Sequence, residues 1–142
     1  MPTYTVTTAN LSLSTQQKSR VAEAITAAHS DHTGAPRFFA QVRFFQLEAG
    51  EHYIGGKLNE GPLLFVSGMI REGRSVDVKQ ALMSQMLEQI AAITAMEAED
   101  IWIYLQDVAA EQMIEFGRFL PAPGQEDEWV KGLSPAKQRA LF

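Results

Sequence analysis

The sequence predicts an α/β fold in which one β-α-β unit occurs twice, and three observations lead to this prediction. Extended and helical patterns alternate along the 142 residues. The order strand, helix, strand is found at residues 2–47 and again at 62–106, and Pro2 and Pro62 open the two units. Two strands joined through a helix are parallel, and such crossovers place the helix on a sheet face. We therefore expect a four-stranded sheet with both helices on one face.

The first unit contains clear strand and helix signals. Residues 3–8 are rich in Thr, Tyr and Val, which favours a strand. Ser14 is a suitable N-cap for a helix over 15–31, where apolar residues recur at helical spacing. Residues 38–47 are aromatic and β-branched and predict a second strand. The glycine-rich stretch that follows, 50–61, is compatible with a short hairpin.

The second unit repeats this pattern at an offset of about 60 residues. We predict a strand at 63–70, a helix over 76–96 and a strand at 101–105. The sheet face away from the helices is also rich in apolar residues. Burial of that face against identical subunits is therefore expected, although composition does not give their number.

Residues 107–142 form a C-terminal extension of different character. Residues 108–113 predict a short turn or helix, and 117–124 predict an extended loop with several chain breakers. A last helical segment is expected to start near Ser134 and Pro135.

Composition limits the possible functions. A length of 142 residues with 46% apolar residues fits one domain, taken as 1–142. Twelve basic and seventeen acidic residues give a net charge of −5 without a basic cluster, which argues against nucleic-acid binding. The absence of cysteine excludes disulfides and thiolate chemistry. With no basic leader and no long apolar run, the chain is predicted to be soluble and cytoplasmic, with no membrane partner.

Two arginines, Arg71 and Arg74, follow a buried strand and precede a helix. Guanidinium groups and helix N-terminal amides both favour anions, so this loop outlines a carboxylate site. Spacing alone gives more weight to an ordinary solvated loop. The histidines at positions 29 and 32 make a metal pair conceivable, but no third ligand lies at motif spacing.

Two further residues carry polar groups without a distinctive motif. Tyr104 lies in a strand, where tyrosines usually serve packing. Glu115 is one of many acidic residues. From pattern alone, neither stands out as functional.

Several segments together resemble the cis-3-chloroacrylic acid dehalogenase family of the tautomerase superfamily. The resemblance spans nearly the whole chain and rests on Pro2, Ile25-Thr26-Ala27-Ala28-His29, Gln41-Val42, Arg71-Glu72-Gly73-Arg74-Ser75, Ile101-Trp102-Ile103-Tyr104 and Met113-Ile114-Glu115-Phe116-Gly117-Arg118-Phe119-Leu120-Pro121. It implies a tautomerase-like fold of two fused β-α-β units and a homotrimer with active sites near the subunit boundaries. Its matching catalytic positions are Pro2, His29, Arg71, Arg74, Tyr104 and Glu115.

The resemblance also implies a chemistry without metal or organic cofactor. After removal of Met1, the Pro2 amine would supply a proton to a small unsaturated carboxylic acid. His29, Arg71 and Arg74, with Phe39 nearby, would bind the substrate.

In the implied hydration, Glu115 would activate water and Tyr104 would help to position it. The product expected from a cis-3-haloacrylate or an acetylene carboxylate is malonate semialdehyde. Promiscuous tautomerisation of 2-keto acids is also expected.

The chain departs from the dehalogenase pattern at two positions. A tyrosine there follows the glutamate and a histidine precedes the arginine loop, whereas Phe116 and Ile70 stand here. The stretch 35–39 is closer to homologues that dehalogenate poorly, so weak dehalogenation is expected. Two alternatives stay open: a keto-enol tautomerase without a physiological hydratase role, and a non-enzymatic binding trimer.

Overall fold

A four-stranded sheet forms the centre of the computed structural model, which describes residues 2–141. Its strands are β1 (Thr3–Ala9), β2 (Gln41–Gln46), β5 (Leu63–Arg71) and β6 (Ile101–Val108), in the order β2-β1-β5-β6. The strands of each unit are parallel, and the two units meet through the antiparallel pair β1 and β5. The predicted sheet of two β-α-β units is therefore confirmed.

The two long helices have the same length and begin in the same way. Helices α1 (Thr15–Thr33) and α2 (Val76–Thr94) each contain 19 residues. Ser14 and Ser75 cap them with nearly identical backbone angles, and each side chain accepts a hydrogen bond from a first-turn amide. Helix α2 ends two residues earlier than predicted because Ala95 adopts a left-handed conformation, with φ of 56°.

The core lies between the helices and one face of the sheet. Alternation along β1 turns Tyr4 and Val6 toward this face, where both are fully buried. Val21 and Ile25 of α1 join the same apolar cluster, as do residues of the second unit: Leu64, Val66, Leu82, Met86 and Ile90. Both helices thus cover one face, as the sequence predicts.

The opposite face of the sheet keeps large side chains exposed. Phe45, Met69, Trp102 and Tyr104 are all at least 40% exposed and come from β2, β5 and β6. We refer to these four residues as the open-face residues.

Short elements fill the connections. The predicted hairpin is present as β3 (Tyr53–Ile54) and β4 (Lys57–Leu58). The strand expected from residue 38 instead opens with a 3-10 turn at Arg37–Phe39, whose two phenylalanine rings contact each other in a tilted arrangement with centroids 4.1 Å apart. Only the following residues pair with β1.

The C-terminal extension is more structured than predicted. A short hairpin is formed by β7 (Ile114–Glu115) and β8 (Arg118–Phe119), and its second strand lies within the loop expected at 117–124. A helix that was not predicted, α3 (Glu126–Lys131), follows. Helix α4 (Pro135–Leu141) begins where expected. A second apolar cluster packs this extension onto the first unit through Phe39, Leu120, Trp129, Val130 and Leu133.

Among residues 2–141, no helix is both long and apolar enough to cross a bilayer.

Candidate active site

Pro2 lies at the start of β1, buried at the end of the sheet where β5 finishes. Its carbonyl accepts a hydrogen bond from the Gln41 amide at 3.0 Å, which ties the residue to the start of β2. Because β1 and β5 are antiparallel, the N-terminal end of β1 lies beside the C-terminal end of β5. This arrangement brings Pro2 next to the arginine loop. The predicted removal of Met1 lies outside the described residues.

The arginine loop connects β5 to α2. Arg71 is the last residue of β5 and is only 5% exposed, whereas Arg74 is partly buried. Gly73 between them has a φ of 110°, which glycine adopts most readily. Arg74 donates a hydrogen bond to the Arg71 carbonyl at 3.1 Å, closing the loop on itself. Burial and the adjacent Arg71 charge lower the pKa of Arg74.

The C-terminal extension holds the Arg71 guanidinium from one side. One terminal nitrogen donates to the Pro121 carbonyl at 2.8 Å and the other to the Glu126 carboxylate at 2.6 Å. The remaining nitrogen, Nε, is buried and has no hydrogen-bond partner among the described residues. A buried cationic donor without a partner is costly, so this N–H group is suited to a ligand's anionic oxygen.

His29 reaches the same place from α1. Its side chain is 3% exposed, and its Nδ1 lies 2.7 Å from the Tyr4 hydroxyl. Burial, followed by the positive charges of Arg74 and Arg71 among other groups, lowers the pKa of His29 to about 4. The imidazole is therefore neutral near pH 7.

Pro2, His29, Arg71 and Arg74 line one cavity together with Ala35. Its volume of about 10 Å³ is near the smallest space that holds a water molecule. Of these residues, Arg74 is the least buried.

Glu115 and Phe39 line a second, larger cavity of about 760 Å³. Thr3 and Met69 line it too, and these residues adjoin Pro2 and Ile70 in the chain. The two cavities are thus lined by consecutive residues at the start of β1, Pro2 for the smaller one and Thr3 for the larger one. Its volume lies in the range of small-molecule sites.

Tyr104 is placed away from the other predicted site residues of its own chain. It pairs with Ser67 in the middle of β5, four positions before the Arg71 and Val108 pair. At about 3.3 Å per residue, it lies roughly 13 Å along the strand from the arginine loop. Its side chain is 60% exposed and packs edge-on against Phe65.

The histidine pair does not form a metal site. His32 is hydrogen-bonded to Gln85 of α2 at 2.7 Å, whereas His29 contacts Tyr4. Within residues 2–141, no group of three or more His, Asp and Glu side chains is arranged to hold a metal ion.

Sequence comparison places this arrangement in a known family. The profile of a tautomerase family described as "Putative oxalocrotonate tautomerase enzyme" matches residues 1–132. A solved structure of N1, a member of the cis-3-chloroacrylic acid dehalogenase family, is 31% identical and has a TM-score of 0.87, with coverage of 98% of this chain and 97% of N1. The chain belongs to the tautomerase superfamily and is a homologue of this dehalogenase family. No curated protein sequence matches it.

Two further solved structures share the fold with lower identity. Native Ps01740 is 28% identical with a TM-score of 0.74, covering 80% of this chain and 99% of that protein. A fused 4-OT, described as a symmetric trimer, has a TM-score of 0.71 at 20% identity, with 78% and 89% coverage. The last comparison supports the fold alone.

Two side chains of this tautomerase homologue contact the site without having been singled out from the sequence. Tyr4 binds His29, and Glu126 binds Arg71. For Tyr4, the alternation of β1 provides a signal, because it places residues 2 and 4 on the same face. For Glu126, the only signal is its position in the first turn of a short helix.

Proposed function

We propose that this protein is a cofactor-independent hydratase of small unsaturated carboxylic acids, with the Pro2 amine as the proton donor. Two observations about Arg71 carry the proposal: its Nε is buried without a hydrogen-bond partner among the described residues, and the residue lines one cavity with Pro2, His29 and Arg74. Acetylene carboxylates and cis-3-haloacrylates are the proposed substrate classes, and malonate semialdehyde is the proposed product.

The substrate carboxylate would bind to the arginines in the smaller cavity. Glu126 already compensates one of the two charges through Arg71, so the cavity retains the charge of Arg74 to attract an anion. Arg71 would contribute its Nε–H, because Nε is the one nitrogen of this guanidinium that has no hydrogen-bond partner among the described residues. Electron density drawn toward the carboxylate makes the β-carbon of the acid electrophilic.

Water would attack from the side of the larger cavity. In this proposal, Glu115 accepts a proton from water while the water oxygen bonds to the β-carbon. The protonated Pro2 amine then transfers a proton to the α-carbon. The resulting enol of an acetylene carboxylate becomes malonate semialdehyde, and the adduct of a haloacrylate loses halide and a proton to give the same aldehyde.

The two departures from the dehalogenase pattern remove polar groups beside these residues. Ile70 is fully buried in the core. Phe116 packs edge-on against Trp129 with ring centroids 6.0 Å apart. Neither side chain offers a hydrogen bond to a departing halide, which supports hydration of acetylene carboxylates over dehalogenation.

Tyr104 would act in the active site of a neighbouring subunit. Tyr104 is too far from the arginine loop of its own chain to contact it. It is one of the open-face residues, and its side chain is exposed. We propose that identical subunits cover this face in a homotrimer and that Tyr104 helps to position water across the boundary.

A keto-enol tautomerase is the second candidate function. One observation favours it: Glu115 lines a different cavity from Pro2. Tautomerisation does not need Glu115, because proton transfer between enol and ketone requires only Pro2 and a bound acid.

Glu115→Gln separates these functions. Activities on an acetylene carboxylate and on an enolised 2-keto acid would be followed by NMR, with Glu111→Gln as a matched surface control. The hydratase proposal predicts a loss of about 10²–10⁴-fold in hydration with tautomerisation largely kept. Unchanged hydration would contradict it, and tautomerisation without any hydration by the wild type would favour the second candidate.

A further inference from the structure

The Tyr4 side chain connects the core of the sheet to the candidate site. It is fully buried, and its hydroxyl lies 2.7 Å from His29 Nδ1, with the two rings edge-on at a centroid distance of 5.8 Å. His29 Nδ1 is the hydrogen-bond partner of this hydroxyl within residues 2–141. The contact therefore has to satisfy the Tyr4 O–H in the absence of solvent.

The opposite strand leaves space for this ring. Tyr4 pairs with Gly68 of β5, whose backbone does not require glycine, since its φ is outside the left-handed region. A Cβ at Gly68 would lie 2.5 Å from Tyr4 Cε1 and 2.8 Å from a Leu105 methyl carbon. Glycine at position 68 thus leaves the space that the Tyr4 ring occupies, and a larger residue would displace that ring from His29.

The protonation states determine the direction of the hydrogen bond. Burial raises the pKa of Tyr4, so the phenol keeps its proton, and His29 is neutral near pH 7. If His29 Nδ1 carried the hydrogen, the buried Tyr4 O–H would have no acceptor. Donation from Tyr4 to Nδ1 satisfies both groups and leaves the ring hydrogen on His29 Nε2.

We propose that Tyr4 is a positioning residue that fixes His29 as the Nε2–H tautomer, so that the imidazole is a neutral donor to the acid bound between Arg71 and Arg74. The proposal rests on the proposed function for the identity of the ligand. The tautomer itself follows from the Tyr4 contact and the neutral state of both groups, and it does not depend on the ligand. Two guanidinium groups already supply positive charge, and a neutral donor adds a hydrogen bond without further charge repulsion.

Nuclear magnetic resonance of ¹⁵N-histidine-labelled protein tests the tautomer without any turnover. Long-range ¹H–¹⁵N spectra distinguish a ring nitrogen that carries hydrogen from one that does not, and His29→Gln assigns the signals. We expect His29 in the wild type to carry hydrogen on Nε2, and Tyr4→Phe to give a mixture of tautomers. Hydrogen on Nδ1 in the wild type would overturn the proposal even if the Tyr4 variant failed to fold.

Kinetics test the positioning role. Tyr4→Phe should lower kcat/KM on a turned-over acid by about 2- to 10-fold, the effect of one net hydrogen bond. Tyr53→Phe, an exposed hairpin substitution, is the matched control and should leave kcat/KM unchanged. A changed tautomer with unchanged kcat/KM would overturn the positioning role. A wild-type protein with the expected tautomer and no turnover would instead overturn the proposed function.

Discussion

Glu126 in the C-terminal extension forms a 2.6 Å ion pair with Arg71 at the end of β5, and both side chains are at most 15% exposed. The pair joins the extension to the candidate site across 55 positions of the chain. It also fixes the orientation of the Arg71 guanidinium and hence the direction of its unpartnered Nε–H. The extension therefore contributes to the shape of the site, although none of its residues from 121 to 141 lines the smaller cavity.

Glu126→Gln should lower the free energy of unfolding, because it leaves a buried guanidinium without its counter-charge. We expect a loss of about 1–3 kcal/mol in urea denaturation at pH 7. Glu128→Gln, in the exposed pair with Lys131, should leave it nearly unchanged because solvent screens that pair. Equal effects of the two substitutions would show that the Arg71 pair has no special structural role.

Replacement of Arg71 by alanine should affect both activity and stability, whereas replacement of Arg74 should affect activity alone. Arg74→Ala should weaken activity on small acids by about 1.5–3 kcal/mol in kcat/KM while the fold is kept. Arg71→Ala should also lower the thermal midpoint, since it leaves Glu126 and the Pro121 carbonyl without their donor. Circular dichroism and steady-state kinetics check both, with Arg20→Gln on the exposed surface of α1 as the control. Wild-type kinetics in both alanine variants would show that the carboxylate site is elsewhere.

His29 should make the protein sensitive to acid. Its folded-state pKa of about 4 lies below the value of about 6.5 in an unfolded chain, so the unfolded state binds the proton more tightly. The contribution of neutral His29 to the free energy of unfolding is fully present above pH 6.5. About 3 kcal/mol of it is lost as the pH falls from 6.5 toward 4. Urea denaturation at pH 7 and pH 4 should show a smaller difference for His29→Gln than for the wild type or His32→Gln. The same difference in all three proteins would contradict the assignment.

The main sheet and its helices follow from the sequence, because apolar periodicity directly reports which face of an element is buried. The apolar patterns of the strands and of the two long helices correctly predict the order of these elements and the parallel direction of the strands within each unit. The proximity of Pro2 to Arg71 also follows once β1 and β5 are known to be adjacent and antiparallel. Residue spacing does not distinguish the arginine loop from a solvated one, whereas the resemblance to the dehalogenase family does.

Three features could not be read from local sequence. The Glu126 pair depends on how α3 folds back, and nothing about one acid among seventeen acidic residues identifies it. The Tyr4 contact depends on the space beside Gly68. The role proposed for Tyr104 requires an assembly, and a single chain does not show which residues of a neighbour it would contact.

Subunit mixing tests the proposed role of Tyr104. If each site combines Pro2 of one subunit with Tyr104 of another, inactive Pro2→Ala and Tyr104→Phe chains should complement each other. Random mixing after unfolding and refolding should restore about a quarter of the wild-type sites. Each variant refolded alone is the control. No recovery on mixing, with trimers formed, would place both residues in one chain's site.

The most direct test of the central claim concerns the Pro2 amine, which is basic only when no residue precedes it. Intact mass spectrometry would identify preparations with and without Met1, and NMR would follow an acetylene carboxylate with each. We predict that malonate semialdehyde forms with the protein that lacks Met1 and that protein retaining Met1, or carrying Pro2→Ala, is strongly impaired. Equal turnover by a preparation that fully retains Met1 would contradict the assignment of Pro2.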